Sequence, residues 1–263
     1  MDETGRVSSS DGTSIAFERR GAGPALIVVD PAGSYRDFRP QRPPVGRLAA
    51  EFTVYLYDRR GRGASGDTLP YAVQKEVDDL AALVAEAGGS ASVYASSSGC
   101  LLALHAAAGG LAISRLALFE PAIEPTETPP GESEFTAHLA RLVAAGRRRE
   151  AVEFFHRGIG VPEEIMEQMA PPTWAALEAV AHTLVYDCVI SDATSLGLLR
   201  SVPTPTLVLD SQGTTGELPA MAATVVQALP RASYRGLPGG WHGVSDEALA
   251  PALIEFFTGR DGT

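Results

Sequence analysis

Five short runs of the chain are apolar almost without interruption and have the length of strands: "ALIVVD" (25–30), "FTVYLYD" (52–58), "ASVYAS" (91–96), "RLALFE" (115–120) and "TLVLD" (206–210). A strand with one face in water alternates polar and apolar residues, whereas a strand without alternation is covered on both faces. These runs therefore predict a mostly parallel sheet flanked by helices. The segments between them supply the helices. From Tyr71 to Gly88, residues Val73, Val77, Leu80 and Val84 fall on one stripe, and Gly88-Gly89 ends it. Leu101 to Ala108 is apolar all round except for His105, which predicts a central helix packed deep against the sheet. A hairpin around "SSSDGTSIAFERRG" leads into this arrangement, and strands alternating with helices make the chain α/β.

The alternation stops after Glu120. From Pro121 to about Ser201 there are proline clusters and helical stretches such as "FTAHLARLVAAGRRREAVEFFHRG", but no good strand candidate. Helices without strands, inserted between two strands, predict a helical cap over residues 121–201, with residues 1–120 and 202–263 forming the core. The strand and helix rhythm resumes with "PTLVLD", then Met221 to Leu229, "ASYRGLP", and Leu249 to Phe257.

Composition narrows the function. The 263 residues are 45% hydrophobic and carry a net charge of −11, which argues against nucleic acid or an anionic membrane as the main partner. No apolar run is long enough to span a bilayer, and the start "MDETGRVSSSDG" lacks a basic flank followed by an apolar stretch. The two cysteines, Cys100 and Cys188, form no disulfide framework and are read as reduced thiols. A cytoplasmic protein is expected; the oligomeric state is left open.

Between the third apolar run and the central helix lies "YASSSGC". A strand ending near Ser96 and a helix beginning near Gly99 leave almost no loop, so the chain turns sharply between small residues. The pattern small, any, nucleophile, any, small fits Ala95, Ser96, Ser97, Ser98, Gly99, a variant of G-x-S-x-G, and marks the middle serine. From the residues alone a structural strand-to-helix turn remains the alternative. A serine hydroxyl needs a base, normally a histidine oriented by an acid. Of five histidines, His105, His138, His156 and His182 lie in helical stretches and read as core or surface residues. His242, in the Gly-rich "LPGGWHG" after the last strand, completes the order Ser, acid, His.

At this point the chain resembles the α/β-hydrolase superfamily, over nearly its whole length: "YDRRGRGASG", the elbow "ASSSG", "PTLVLD", and "LPGGWH" followed by the acidic helix "SDEALAPALIEFF". The departures from the family pattern are informative. Where members usually carry His-Gly after the third strand, this chain reads Asp30-Pro31 in "VVDPAGS". Proline has no N–H, so the resemblance assigns the oxyanion hole to the N–H groups of Ala32 and Ser98. The usual acid position after the seventh strand holds Gly213 and Thr214; Asp210 is too close to the strand and Glu217 too far along. Haloalkane dehalogenases and fungal zearalenone lactonases carry the acid at the end of the sixth strand, where this chain has Glu120 in "LALFEPA". A buried Glu there asks for a partner in any case, and bonding to backbone N–H groups is the other role it could fill.

The resemblance implies a serine hydrolase, an esterase or lactonase, with Ser97 as nucleophile, His242 as base and Glu120 as orienting acid. Neither metal nor organic cofactor is implied, and the partner is a small apolar ester or lactone. Trp174, Tyr186 and Phe154 are candidates to line the substrate pocket, the alternative being the cap's own core. Two other classes stay open: a cofactor-free lyase or cyclase of secondary metabolism, encouraged by the altered "DPAG" loop, and a catalytically silent ligand-binding protein.

Overall fold

The structure is a computed structural model that describes residues 3–39, 43–123, 125–129 and 131–260. Eight strands form one sheet: β1 (Glu3–Ser8), β2 (Ser14–Arg20), β3 (Ala25–Val29), β4 (Thr53–Tyr57), β5 (Ala91–Ser96), β6 (Ile113–Phe119), β7 (Thr206–Ser211) and β8 (Ala232–Leu237). Their order is β1-β2-β4-β3-β5-β6-β7-β8. The β1–β2 hairpin and the β2–β4 pair are antiparallel, and every pair from β4 to β8 is parallel.

The unbroken apolar runs are explained by burial on both faces. Ile27 and Val29 of β3 enter one core while Leu26 and Val28 enter the other; β7 divides in the same way, with Val208 on one side and Leu207 and Leu209 on the other. The first core is covered by α2 (Val73–Glu86), α3 (Gly99–Ala108) and α10 (Leu218–Ala228), the second by α1 (Val45–Leu48) and α11 (Asp246–Thr258). Leu101, Leu102 and Leu104 of α3 are all at most 1% exposed, as its all-round apolarity predicts. Burial at that level stabilises by about 1.5–3 kcal/mol per side chain. On α2 the predicted stripe is present, but Glu76 and Asp79 are buried beside it, because they pair with Arg59 and Arg60 of the loop after β4.

Between β6 and β7 the regular elements described are helices, with one isolated β-bridge between Thr126 and Ser195: α4 (Glu134–Ala144), α5 (Arg148–Gly158), α6 (Glu163–Glu167), α7 (Pro171–Ala179), α8 (Thr183–Ala193) and α9 (Leu196–Arg200). Side chains of α4 to α8 build a third apolar cluster against which Ala32 and Phe38, from the segment after β3, pack. No described helix is long and apolar enough to cross a membrane.

The order of the sheet decides which strand ends come together. The connection from β3 runs to one side, to β4, and those from β5 onward run to the other, so the strand ends at β3 and β5 border a topological switch point. Register brings them level. Val29 lies beside Ala95, Ser96 beside Phe119, and Phe119 beside Leu209. Residues just past these positions, Ala32, Ser97 and Glu120, therefore share one edge.

Gly99 at the start of α3 makes this closeness possible. A Cβ there would lie 2.7 Å from the Val29 carbonyl oxygen and 2.8 Å from that of Asp30. Gly99→Ala should therefore force α3 away from β3 and cost about 1–3 kcal/mol, read as a lowered urea midpoint with an unchanged slope; a wild-type midpoint would refute the tight approach.

Candidate active site

Three non-glycine residues among those described have positive φ: Ser97 at 50°, Glu120 at 47° and His242 at 49°. L-residues avoid this region, at roughly 1–2 kcal/mol each, and such outliers gather at functional sites. Here they coincide with the residues singled out from the sequence as nucleophile, acid and base.

Ser97 stands on the turn from β5 into α3, half-buried, its N–H donated to the Phe119 carbonyl at 2.9 Å. Glu120 follows the last residue of β6 and is 0% exposed. Its Oε1 accepts from the Ser211 N–H at 2.9 Å and from the Thr214 hydroxyl at 2.6 Å, while its Oε2 is bonded to Nδ1 of His242. Burial pushes the Glu120 pKa up, but the hydrogen bonds from His242, Thr214 and Ser211 outweigh it and hold the carboxyl below its ordinary value of 4.5. A carboxylate with that set of donors is ionised at neutral pH and fixes the proton of the imidazole on Nδ1, leaving Nε2 as the basic nitrogen.

His242 sits between β9 (Gly239–Gly240) and β10 (Gly243–Val244), a two-residue ladder whose tip is "WH". This tip is tied to the end of β7 twice: Ser211 Oγ donates to the Gly240 carbonyl at 2.6 Å, and the His242 N–H donates to Thr214 Oγ1 at 2.9 Å. Thr214, at the place where an acid was sought in the sequence, thus bonds both Glu120 and His242. The other two acids lie elsewhere. Asp210 receives the Tyr234 hydroxyl at 2.9 Å on both oxygens, and Glu217 is exposed ahead of α10.

Ser97, Ser98, Ala32 and His242 line a cavity of about 560 Å³ whose other wall comes from the helices between β6 and β7. Its lining is mainly apolar, with Phe38, Leu101, Phe135, Phe155, Met169 and Leu177, and includes His156, Asp187 and Asp192. The expectation for Trp174, Tyr186 and Phe154 is corrected: none of them lines the cavity. Trp174 is buried in the helical cluster under the guanidinium of Arg149, Tyr186 stacks on Tyr71 and donates to Asp67, and Phe154 stacks on Phe135 behind the wall. The aromatic positions were recognisable, but which side of a short amphipathic helix faces a cavity depends on the packing of neighbours absent from the sequence.

Ala32 is held by the loop after β4. Arg62 donates to the Pro31 carbonyl at 2.7 Å, and that carbonyl belongs to the same peptide group as the Ala32 N–H. Arg62 and Arg59 both grip Asp187 of α8, at 2.5 and 2.7 Å. Asp187 was missed from the sequence, although a lone acid inside the apolar "LVYDCVI" was the available signal. Among the described residues no group of three or more His, Cys, Asp or Glu side chains is placed to hold a metal ion.

Comparison with known proteins gives the same outline. The profile of the alpha/beta hydrolase family matches residues 11–252. An alpha/beta hydrolase from Sphaerobacter thermophilus DSM 20745 is 44% identical, with a TM-score of 0.86, covering 96% of this chain and 100% of its own. An enol-lactonase from Burkholderia xenovorans LB400 (20% identity, TM-score 0.73, 97% and 100% coverage) is similar in fold. So is a thermophilic esterase from Thermogutta terrifontis (21%, 0.71, 98% and 98%). No curated protein sequence matches the chain significantly.

Because the folded Glu120 pKa is depressed, the carboxylate contributes stability above its unfolded pKa, and this is lost as pH falls through the folded value. Thr214→Val removes a donor to that carboxylate. It should raise the Glu120 pKa, lower stability at neutral pH by about 1.5–3 kcal/mol, and move the acid-side fall in melting temperature to higher pH; melts across the acid range that superimpose on wild type would contradict this.

Proposed function

Because the chain belongs to the alpha/beta hydrolase family, we propose that it is a serine hydrolase that cleaves a carboxylic ester or lactone through an acyl-enzyme. The observation that carries this reading is the Glu120–His242 pair at the edge of a cavity that Ser97 also lines. Ser97 Oγ attacks the substrate carbonyl while His242 Nε2 takes its proton, and Glu120 stabilises the imidazolium. The N–H groups of Ala32 and Ser98 receive the charge that develops on the carbonyl oxygen. His242 then returns the proton to the departing alcohol, and in a lactone that alcohol remains tethered to the acyl group. Water, deprotonated by His242, releases the acid and restores Ser97.

Arg62 contributes indirectly. A guanidinium on the Pro31 carbonyl polarises the Pro31–Ala32 peptide and makes its N–H a stronger donor. Pro31 in place of the family's usual glycine is therefore compatible with an oxyanion site at Ala32. Residues 121–201 act as a cap: their helices give the cavity its apolar wall, which favours an uncharged, largely apolar substrate. The enol-lactonase and esterase among the structural neighbours carry chemistry of the same class.

A fluorophosphonate probe together with short-chain nitrophenyl esters tests the reading. Wild type should label on Ser97, and Ser97→Ala should lose labelling and lower kcat by about 10⁶; labelling that survives in Ser97→Ala would move the nucleophile elsewhere. The acid is tested separately. Glu120→Gln keeps the size of the side chain but favours the wrong imidazole tautomer, so kcat should fall by up to about 10⁴, whereas Asp210→Asn, which disturbs only the bond to Tyr234, should stay close to wild type. A large loss in Asp210→Asn beside near-normal Glu120→Gln would reverse the assignment.

A further inference from the structure

The side chain of Ser98 has a role that its place in the elbow does not require. Its backbone N–H is one of the two oxyanion donors in the reading above, on which this inference rests. Its hydroxyl does something different. Oγ of Ser98 lies 2.8 Å from the Ala32 nitrogen and accepts that N–H, the other oxyanion donor. Asp187, which Arg59 and Arg62 grip, lines the same cavity as Ser98. While Ser98 Oγ accepts the Ala32 N–H, that donor is not open to a substrate oxygen.

We propose that the Ser98 hydroxyl is a gate on the oxyanion site, which a substrate carbonyl must displace from the Ala32 N–H before Ser97 can be acylated. Three features support this arrangement. Ser98 and Asp187 both line the cavity, so the contact lies where substrate enters. Asp187 is fixed by two fully buried guanidiniums, Arg59 and Arg62, which hold the α8 side of the cavity beside Ser98 in place. Arg62 also fixes the Pro31 carbonyl, so the Ala32 N–H keeps its direction whichever oxygen it meets. A preorganised hydroxyl competes better than bulk water. It selects for substrates whose carbonyl is a strong acceptor and is driven into the site by apolar contacts with the cap.

Removing the hydroxyl while keeping the backbone isolates the effect. The rate constant for labelling of Ser97 by a fluorophosphonate, whose phosphoryl oxygen enters the oxyanion site as Ser97 Oγ displaces fluoride, should rise in Ser98→Ala by about 3- to 10-fold, the worth of one neutral hydrogen bond. Ser98→Thr, which retains the hydroxyl, should remain within about twofold of wild type, with melting temperatures checked for all variants. A structural defect at the elbow would slow labelling, so a gain with rescue by threonine is specific to the gate. Unchanged or slower labelling in Ser98→Ala would overturn the proposal while leaving the serine hydrolase intact, as would equal acceleration in Ser98→Thr. Labelling that appears only in Ser98→Ala would support a strong gate. Absence of labelling in both wild type and Ser98→Ala would overturn the hydrolase reading and the gate together.

Discussion

A carboxylate with no access to water has to be surrounded by donors, and Glu120 organises the functional edge of this molecule around that requirement. Three groups from separate segments bond its carboxylate: the Ser211 N–H at the end of β7, the Thr214 hydroxyl in the turn that follows, and the His242 ring from the β9–β10 tip. Leaving such a group unpaired costs several kcal/mol, so the turn after β7 and the histidine tip have a defined place to settle once β6 and β7 pair. The interaction that orients the His242 ring is also the interaction that assembles this corner of the fold.

A second buried electrostatic layer lies behind the other half of the site. Arg59, Arg60 and Arg62 are each about 1% exposed, and each has carboxylate partners: Glu76 and Asp187 for Arg59, Asp79 and Asp11 for Arg60, Asp187 for Arg62. Pairs this deep contribute little net stability against an apolar core of equal volume, because both charges lose their hydration. What they supply is direction. Through Asp187 they link α8 to the β4 loop, and through the Pro31 carbonyl they orient the peptide that carries the Ala32 N–H.

The sheet and its central helix were legible because burial on both faces leaves a pattern that needs no partner to be recognised: unbroken apolar runs at 25–30, 91–96 and 115–120, and an apolar helix at 101–108. The positions of Ser97, Glu120 and His242 at one edge followed from chain order and strand ends, which parallel register then brings level. The cavity wall was not legible. Phe154 and Phe155 are adjacent in sequence, yet only Phe155 faces the cavity, and the choice is made by α4 and α7 packing against α5. Nor did any local pattern announce that Thr214 would take the place of an acid and hold one instead. Hydrogen bonds between residues 94 apart, as for Thr214 and Glu120, are written in the tertiary structure alone.

The three left-handed residues also show why such chemistry belongs at strand ends. Each is strained, and a strained residue in a free loop would relax. Here each has its own N–H pinned by the preceding layer: Ser97 to the Phe119 carbonyl at 2.9 Å, Glu120 to the Leu209 carbonyl at 2.8 Å, and His242 to Thr214 Oγ1 at 2.9 Å. The first two bonds extend the β5–β6 and β6–β7 ladders by one step, so the sheet, with its two apolar cores, resists relaxation on behalf of the site. The third is carried by a threonine that is itself bonded to Glu120. Strain at Ser97 is therefore opposed by the end of β6, strain at Glu120 by the end of β7, and strain at His242 by the turn that follows β7. Each step outward along the sheet restrains the one before it, so the geometry of three separate chain segments is set by one continuous hydrogen-bonded frame.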